Sequence, residues 1–577
     1  MYSNKENVNI LTSLFVAHGI RHAVVCPGSR NAPIVHNLNE CPHIVCHSVI
    51  DERSAGFYAL GMAQQLEQPV VICVTSGSAL LNVAPAVAEA FYRHVPLVVV
   101  SADRPQAWID QQDGQTLPQH DALGRFVKQA VSLPEPADDE QRWYCNRLAN
   151  EALITCRRHG GSPVHVNVPI TEPMFKFDQP ALPCERKITL EEAFAETCHC
   201  PAFENDFFSA KRPLIVVGQL SHSEACAVSH FVRFMRRHVA VAYECISTGG
   251  NLSGNDPDLQ PPLHLDLVFK RLSKEKKSHW PDLILYVGGM FIGKTLKDFL
   301  RQAHDSKTWI VNSEGTVYDT FKNLCGVVEA RPVAMLRRLH TLTEKREQLH
   351  ELHFDKTFHS LWTATTRAVS DKVQSLAFSY SQLSVVKHFF SLLPTPETYH
   401  IHAANSMPIR LVNLFAYDYV YCNRGVNGIE GSLSAAAGCS LVTPNTVYCI
   451  IGDLSFFYDQ NALWHNLKPN LKVLLLDNGG GGIFASLPGL KESSAYRPLI
   501  SARHKASAQG ICMQNNAAYL SAHNEDELRE QIDRFMHADF DRPVVFEVFT
   551  SQEQDEQAMR LYKQADAPEP YSKSRNT

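Results

Sequence analysis

A repeat at a near-constant offset constrains this chain more than any other feature of its sequence. VICVTSG at 71–77 resembles YCIIGDL at 448–454, an offset of 377 residues. LVVVSADR from Leu97 and VLLLDNGG from Val473 lie 376 apart, ERSAGFYALG from Glu52 and EGSLSAAAG from Glu430 lie 378 apart, and PVHVNVP from Pro163 and PVVFEVF from Pro543 lie 380 apart. Four pairs in one order, with the spacing of strand and turn kept, predict two similar domains. Short apolar runs alternate with helix-length segments along most of the chain, the pattern of parallel sheets covered by helices, so the class is α/β.

A length of 577 residues leaves room for a third domain between the repeats, where Leu214–Val217, Leu283–Val287 and Trp309–Asn312 read as strands. The predicted organisation is residues 1–180, 181–360 and 361–577, two similar outer domains around a central nucleotide-fold-like one. A net charge of −6 offers no basic excess for nucleic acid. No apolar run approaches the ~18 residues of a membrane span. Ile10, Leu11, Leu14 and Phe15 follow helical spacing rather than a signal core, so a cytoplasmic location is expected. The 16 cysteines include many in apolar runs, such as Cys73 and Cys449, and read as buried thiols. Cys198, His199 and Cys200 lack the second pair that a zinc site needs.

The chemistry-bearing residues fall at strand ends. Tyr448–Ile451 runs into Gly452 and Asp453, and Val473–Leu476 into Asp477, Asn478 and a glycine run. Carboxyl ends of strands are where α/β sheets bind ligands. A carboxylate, an amide oxygen and a backbone carbonyl suit a hard cation such as Mg²⁺, to which a diphosphate adds further oxygens. The glycines let backbone N–H groups approach phosphate.

G-D at 452–453 followed by D-N-G at 477–479 resembles the motif of thiamine diphosphate (ThDP) enzymes usually written GDG to NN, with Leu454 and Asp477 departing from it. Glu52 opens a helix rich in small residues after HIVCHSVI and resembles the glutamate with which those enzymes hold the aminopyrimidine ring. CPGSRNAP (26–33), VTSGSALLNVAPA (74–86), SADRP (101–105), NSMPIRL (405–411) and NRGVNGIEGSLSAAAG (423–438) narrow the resemblance to the 2-succinyl-5-enolpyruvyl-6-hydroxy-3-cyclohexene-1-carboxylate (SEPHCHC) synthase family of menaquinone biosynthesis.

That resemblance implies a ThDP-binding fold, with a pyrimidine-binding domain at 1–180 and a diphosphate-binding domain at 361–577. It implies ThDP with Mg²⁺ or Mn²⁺ as cofactors, and a homodimer or homotetramer with active sites at the subunit interface. The implied reaction decarboxylates 2-oxoglutarate and adds the resulting carbanion to isochorismate. Carried over residue by residue, Glu52 is catalytic. Gly77, Ser406, Ile429, Gly452, Asp453, Leu454, Ser455, Asn478, Gly480, Gly481, Ile483 and Phe484 bind the cofactor, with Asp453, Asn478 and Gly480 on the metal. Ser29, Arg30, Arg104, Gln115, Lys294, Arg410 and Arg424 bind substrate, as two dicarboxylates require. Thr295 stands where a basic residue often follows the lysine.

Other readings stay open at this level. Gly288, Gly293, Lys294 and Thr295 satisfy G-x-x-x-x-G-K-[ST] between a strand and a helix, the phosphate-binding loop of an NTPase. Another ThDP-dependent 2-oxo acid decarboxylase or an acetohydroxyacid-synthase-like enzyme is the nearest alternative, and a catalytically silent ThDP-binding subunit a further one.

Overall fold

The computed structural model describes residues 1–191, 198–248, 263–395 and 398–566. Its strands form three all-parallel sheets. The first contains β1 (His22–Val25), β2 (Val45–Ser48), β3 (Val70–Val74), β4 (Leu97–Asp103), β5 (Ala130–Ser132) and β6 (Val164–Pro169) in the order β2-β1-β3-β4-β6-β5. The middle sheet contains β7 (Pro213–Val217), β8 (Ala240–Tyr243), β9 (Leu283–Val287), β10 (Lys307–Asn312) and β11 (Leu324–Glu329) in the order β11-β10-β9-β7-β8. The last contains β12 (Tyr399–Ala403), β13 (Val420–Tyr421), β14 (Thr446–Gly452), β15 (Leu471–Asp477), β16 (Ala518–Ala522) and β17 (Val544–Phe549) in the order β13-β12-β14-β15-β17-β16.

The first and last orders are the same when strands are counted within each sheet. The repeated segments fall on equivalent strands: β3 with β14, β4 with β15, and β6 with β17. The repeat is therefore structural as well as sequential.

The strands read as unbroken apolar runs because both faces are covered. Val70, Ile72 and Val74 point into one core while Val71 and Cys73 point into another. The first of these cores is shared by the two outer sheets. Between them lie the equivalent helices Glu52–Leu66 and Ser432–Val442, whose Phe57, Leu60, Leu433 and Ala436 pack with Ile72 and Val473. Glycines set how closely the helices approach. A Cβ on Gly61 would stand 1.9 Å from the Ala435 carbonyl oxygen, and one on Gly438 2.1 Å from that of Tyr58. Among the described residues no helix is long and apolar enough to cross a membrane.

Candidate active site

The first-domain candidates all follow the carboxyl ends of β1 to β4. Ser29 and Arg30 lie between β1 and the helix Ala32–Glu40; Ser29 is exposed and Arg30 buried. Arg30 donates to the Ile170 carbonyl at 3.1 Å and to Glu172 at 3.3 Å. Burial and the neighbouring charge of Arg104 hold its guanidinium below its ordinary pKa. Arg104, after β4, pairs with Asp113 at 2.9 Å. Gly77, after β3, has φ +84° and abuts Gln115, whose Cα would lie 3.3 Å from a Cβ there. Glu52 is the first residue of its helix because Asp51 caps it, accepting the N–H groups of Arg53 at 2.9 Å and Ser54 at 3.3 Å. The Glu52 carboxylate accepts from Asn82 Nδ2 of the same domain, at 3.4 Å.

The third-domain candidates gather at the ends of β12 to β15. Ser406, after β12, has φ +76° and ψ −127°, a region costly for any side chain, and Gly77 takes nearly the same conformation in the turn after β3. It opens the helix Met407–Val412, which carries Arg410 and packs Pro408 3.7 Å from where a Cβ of Gly452 would be. Ile429 meets this group through its carbonyl, which accepts from Ser455 Oγ. Ile483 and Phe484 lie in the 3₁₀ turn Gly482–Ser486, with Phe484 against Gly481.

Asp453 is the centre of this group. Its Oδ1 accepts the Leu454 N–H at 2.7 Å, and its Oδ2 accepts those of Asn478 at 3.3 Å and Gly480 at 2.9 Å. Asn478 Nδ2 donates to Asp555 at 2.8 Å, which turns the amide so that Oδ1 is its remaining atom. Gly480 has φ +151°, and a Cβ there would lie 2.7 Å from the Ser501 carbonyl oxygen, so the cradle admits only glycine.

Two further groups that the motif does not contain close on the same point. Asp453, Asp477 and His504 each offer a ligand atom within 4.8 Å of the others, and His504 Nε2 is 3.2 Å from Asp453 Oδ2. Burial, then the Asp453 charge, pushes the Asp477 carboxyl up to about 7. Carboxylate oxygens and an imidazole nitrogen set this close together are donor types that a divalent cation accepts. Asp477 was legible only as a departure from the expected Asn. His504 carried no local signal, because it arrives on a separate loop held by its own N–H to the Gly479 carbonyl at 3.1 Å.

Both outer parts of the chain resemble known proteins. Residues 7–123 match the family model described as the thiamine pyrophosphate enzyme, N-terminal TPP binding domain, and residues 410–548 match the corresponding C-terminal TPP binding domain. Proteins named 2-succinyl-5-enolpyruvyl-6-hydroxy-3-cyclohexene-1-carboxylate synthase from Bacteroides thetaiotaomicron and Phocaeicola vulgatus are each 38% identical to the chain over 97% of its length, covering 99% and 98% of theirs. The protein of that name from Porphyromonas gingivalis is 34% identical, with 97% of each chain covered.

The chain belongs to the SEPHCHC synthase family.

As a member of that family it is a ThDP-dependent enzyme with the α/β ThDP-binding fold. A third group of residues joins its domains. Arg424, after β13, is buried; its Nη1 donates to Asn405 and its Nη2 to the Phe291 carbonyl of the middle domain, both at 3.3 Å. Arg410 lies near it, and burial together with the Arg424 charge holds the Arg410 guanidinium below its ordinary pKa. Among the described residues, Arg410 Nη1 and Arg424 Nε are buried without a hydrogen-bond partner. Lys294 opens the helix Lys294–Gln302 with an exposed side chain. The apparent nucleotide loop before it is filled from within: Glu244 and Asp266 accept the N–H groups of Ile292, Gly293 and Thr295. Within the chain, the Asp453 group and the Arg424 group are built on the third and middle domains, whereas the Glu52, Arg30 and Arg104 groups are built on the first.

Proposed function

We propose that this chain decarboxylates 2-oxoglutarate and joins the product carbanion to isochorismate, releasing CO₂ and forming SEPHCHC. The observation that carries the reading is the neighbouring pair Arg410 and Arg424, whose Nη1 and Nε respectively are buried without a hydrogen-bond partner. Guanidinium N–H groups left without a protein acceptor favour carboxylate ligands over the small apolar substrates of the alternative decarboxylases.

ThDP, when bound, supplies the acidic carbon and the electron sink of the decarboxylation. Asp453, Asn478 and the Gly480 carbonyl would hold Mg²⁺ or Mn²⁺, and Gly452, Leu454, Ser455 and Gly481 would line the diphosphate. Gly77, Ser406, Ile429, Ile483 and Phe484 would bound the rings. Glu52 would hydrogen-bond the aminopyrimidine and favour its proton-accepting tautomer. Ser29, Arg30, Arg104, Gln115, Lys294, Arg410 and Arg424 would orient the substrate carboxylates.

The family resemblance further implies a homodimer or homotetramer, in which Glu52 of one subunit would serve the Asp453 site of another. The domain limits proposed are 1–180, 181–360 and 361–577, with the helix Lys356–Gln374 spanning the second. A cytoplasmic location accords with a chain rich in free thiols.

The test is an assay of purified protein with 2-oxoglutarate, isochorismate, ThDP and Mg²⁺, read by mass spectrometry. SEPHCHC formation is expected. Turnover of pyruvate in place of 2-oxoglutarate, with no isochorismate adduct, would favour the acetohydroxyacid-synthase-like alternative.

A further inference from the structure

The loop that delivers Lys294 is anchored by a carboxylate from a different strand. Glu244 follows β8 at its carboxyl end and is buried. Its Oε2 accepts the N–H of Ile292, and its Oε1 accepts that of Gly293 at 2.8 Å. Asp266 takes the Thr295 N–H at 3.0 Å, so two acids occupy the donors at the start of the helix. Gly293 is what lets both approach: a Cβ there would stand 2.9 Å from Asp266 Oδ1 and 3.2 Å from Glu244 Oε1.

The loop is held from its other side as well, because Arg424 donates to the Phe291 carbonyl at 3.3 Å. Asn413 Nδ2 of the third domain lies 3.5 Å from Glu244 Oε1. The backbone from Phe291 to Thr295 is thus fixed at four polar groups, on either side of Lys294, while the Lys294 side chain remains exposed. Glu244 is an expensive group to keep for scaffolding alone. Burial, with Asp266 adding to it, pushes its carboxyl up to about 7 against the pull of the two N–H groups and Arg424.

We infer that Glu244 is a positioning residue for the second substrate, acting through the backbone it holds to set where Lys294 presents its ammonium. The inference rests on the proposed reading that Lys294 binds isochorismate.

Glu244→Gln keeps the size and one acceptor oxygen but turns an NH₂ toward one of the two backbone donors. The KM for isochorismate should rise about tenfold or more, the consequence of losing one charge-assisted hydrogen bond. ThDP affinity and CO₂ release from 2-oxoglutarate without isochorismate should change by less than about twofold. In a Lys294→Ala background the same substitution should add almost nothing, since both act through one ammonium. If Glu244→Gln does not fold, Gly293→Ala displaces the loop from the opposite side and should shift the isochorismate KM in the same direction.

An unchanged isochorismate KM in folded Glu244→Gln, or in Gly293→Ala where that variant replaces it, overturns the inference. So does full additivity with Lys294→Ala. Should Lys294→Ala itself leave isochorismate kinetics untouched, the reading beneath the inference fails, and the inference falls with it.

Discussion

Glu89 and Gly425, 336 residues apart in sequence, are joined by a 2.7 Å hydrogen bond from the Gly425 N–H to Glu89 Oε1. The other carboxylate oxygen accepts the Val426 N–H, also at 2.7 Å. A buried acid of the first domain thereby fixes the backbone beside Arg424 in the third, as Glu244 fixes the backbone beside Lys294. Glu89→Ala would strip the acceptor from two N–H groups at about 1–3 kcal/mol each, so a loss of roughly 2–6 kcal/mol is expected in urea unfolding. Glu89→Gln, which retains one acceptor, should lose less. Equal stability of Glu89→Ala and wild type would show that the two domains do not depend on this contact.

The glycines between the paired helices make a second stability prediction. Gly61→Ala and Gly438→Ala each drive a methyl group into a backbone carbonyl, which cannot rotate away as a side chain would. Overpacking typically costs about 1–3 kcal/mol, and a backbone clash belongs at or above the top of that range. Thermal unfolding of each variant should fall by several degrees, whereas Gly114→Ala, where nothing lies within 4 Å, should be neutral. A Gly61→Ala protein that melts with wild type would contradict the close helix crossing.

Asp459 predicts how stability varies with pH. It is fully buried, and its two oxygens accept the Ser434 N–H and Oγ–H, each at 2.8 Å. Burial outweighs these bonds and pushes its carboxyl from 3.8 up to about 6. The folded state thus binds the proton more tightly than the unfolded chain. Its stabilising contribution is complete below about pH 4, is lost as pH rises through about 6, and is flat above, a difference of roughly 3 kcal/mol. Asp459→Asn should remove this component, so the ratio of variant to wild-type stability should grow between pH 4 and pH 7 in chemical denaturation series.

The residues that were legible in the sequence are those whose signal is local. Apolar runs mark β3, β4, β14 and β15 because strands buried on both faces leave no alternation to misread, and the repeat offset pairs them. Asp453 and Asn478 were legible because each directly follows the end of a strand. Glu89, Glu244 and His504 were not, since each is defined by backbone N–H groups or a carboxylate brought close only by the fold. A lone glutamate within AYECIST has no pattern that distinguishes a buried anchor from a surface acid. The Gly288–Thr295 motif failed in the opposite direction: its spacing was right for phosphate, but the fold supplies Glu244 and Asp266 in the phosphate's place.

Subunit exchange tests the shared-site arrangement. Glu52→Gln should retain cofactor while slowing exchange of the ThDP C2 proton by about 10²- to 10⁴-fold, the usual scale of acid–base assistance. Asp453→Ala should lose metal-dependent ThDP binding, because the diphosphate then meets the cradle without its charged metal ligand. Mixed after unfolding and refolding, the two inactive proteins should regain activity, as some heterodimers pair an intact Glu52 with an intact Asp453. Proven exchange with no recovery would place both residues in one chain's site.

Lys294 decides between the two motif readings of its loop. A nucleotide-binding loop needs free backbone N–H groups for the phosphates, and here Ile292, Gly293 and Thr295 already donate to the chain's own carboxylates. It also needs an acidic magnesium ligand from a neighbouring strand. β10 ends instead in Asn312, whose amide oxygen accepts the N–H groups of Glu314 at 3.2 Å and Thr316 at 2.9 Å and is spent on a turn. The two side chains also occupy the space at the helix start that a phosphate would take. Calorimetric titration with ATP should therefore give no binding heat. Lys294→Ala should lower kcat/KM for isochorismate about 10- to 150-fold, the value of one charge-assisted hydrogen bond, while 2-oxoglutarate decarboxylation is nearly preserved. Micromolar ATP binding that disappears in Lys294→Ala, with isochorismate kinetics intact, would reverse the assignment of this side chain.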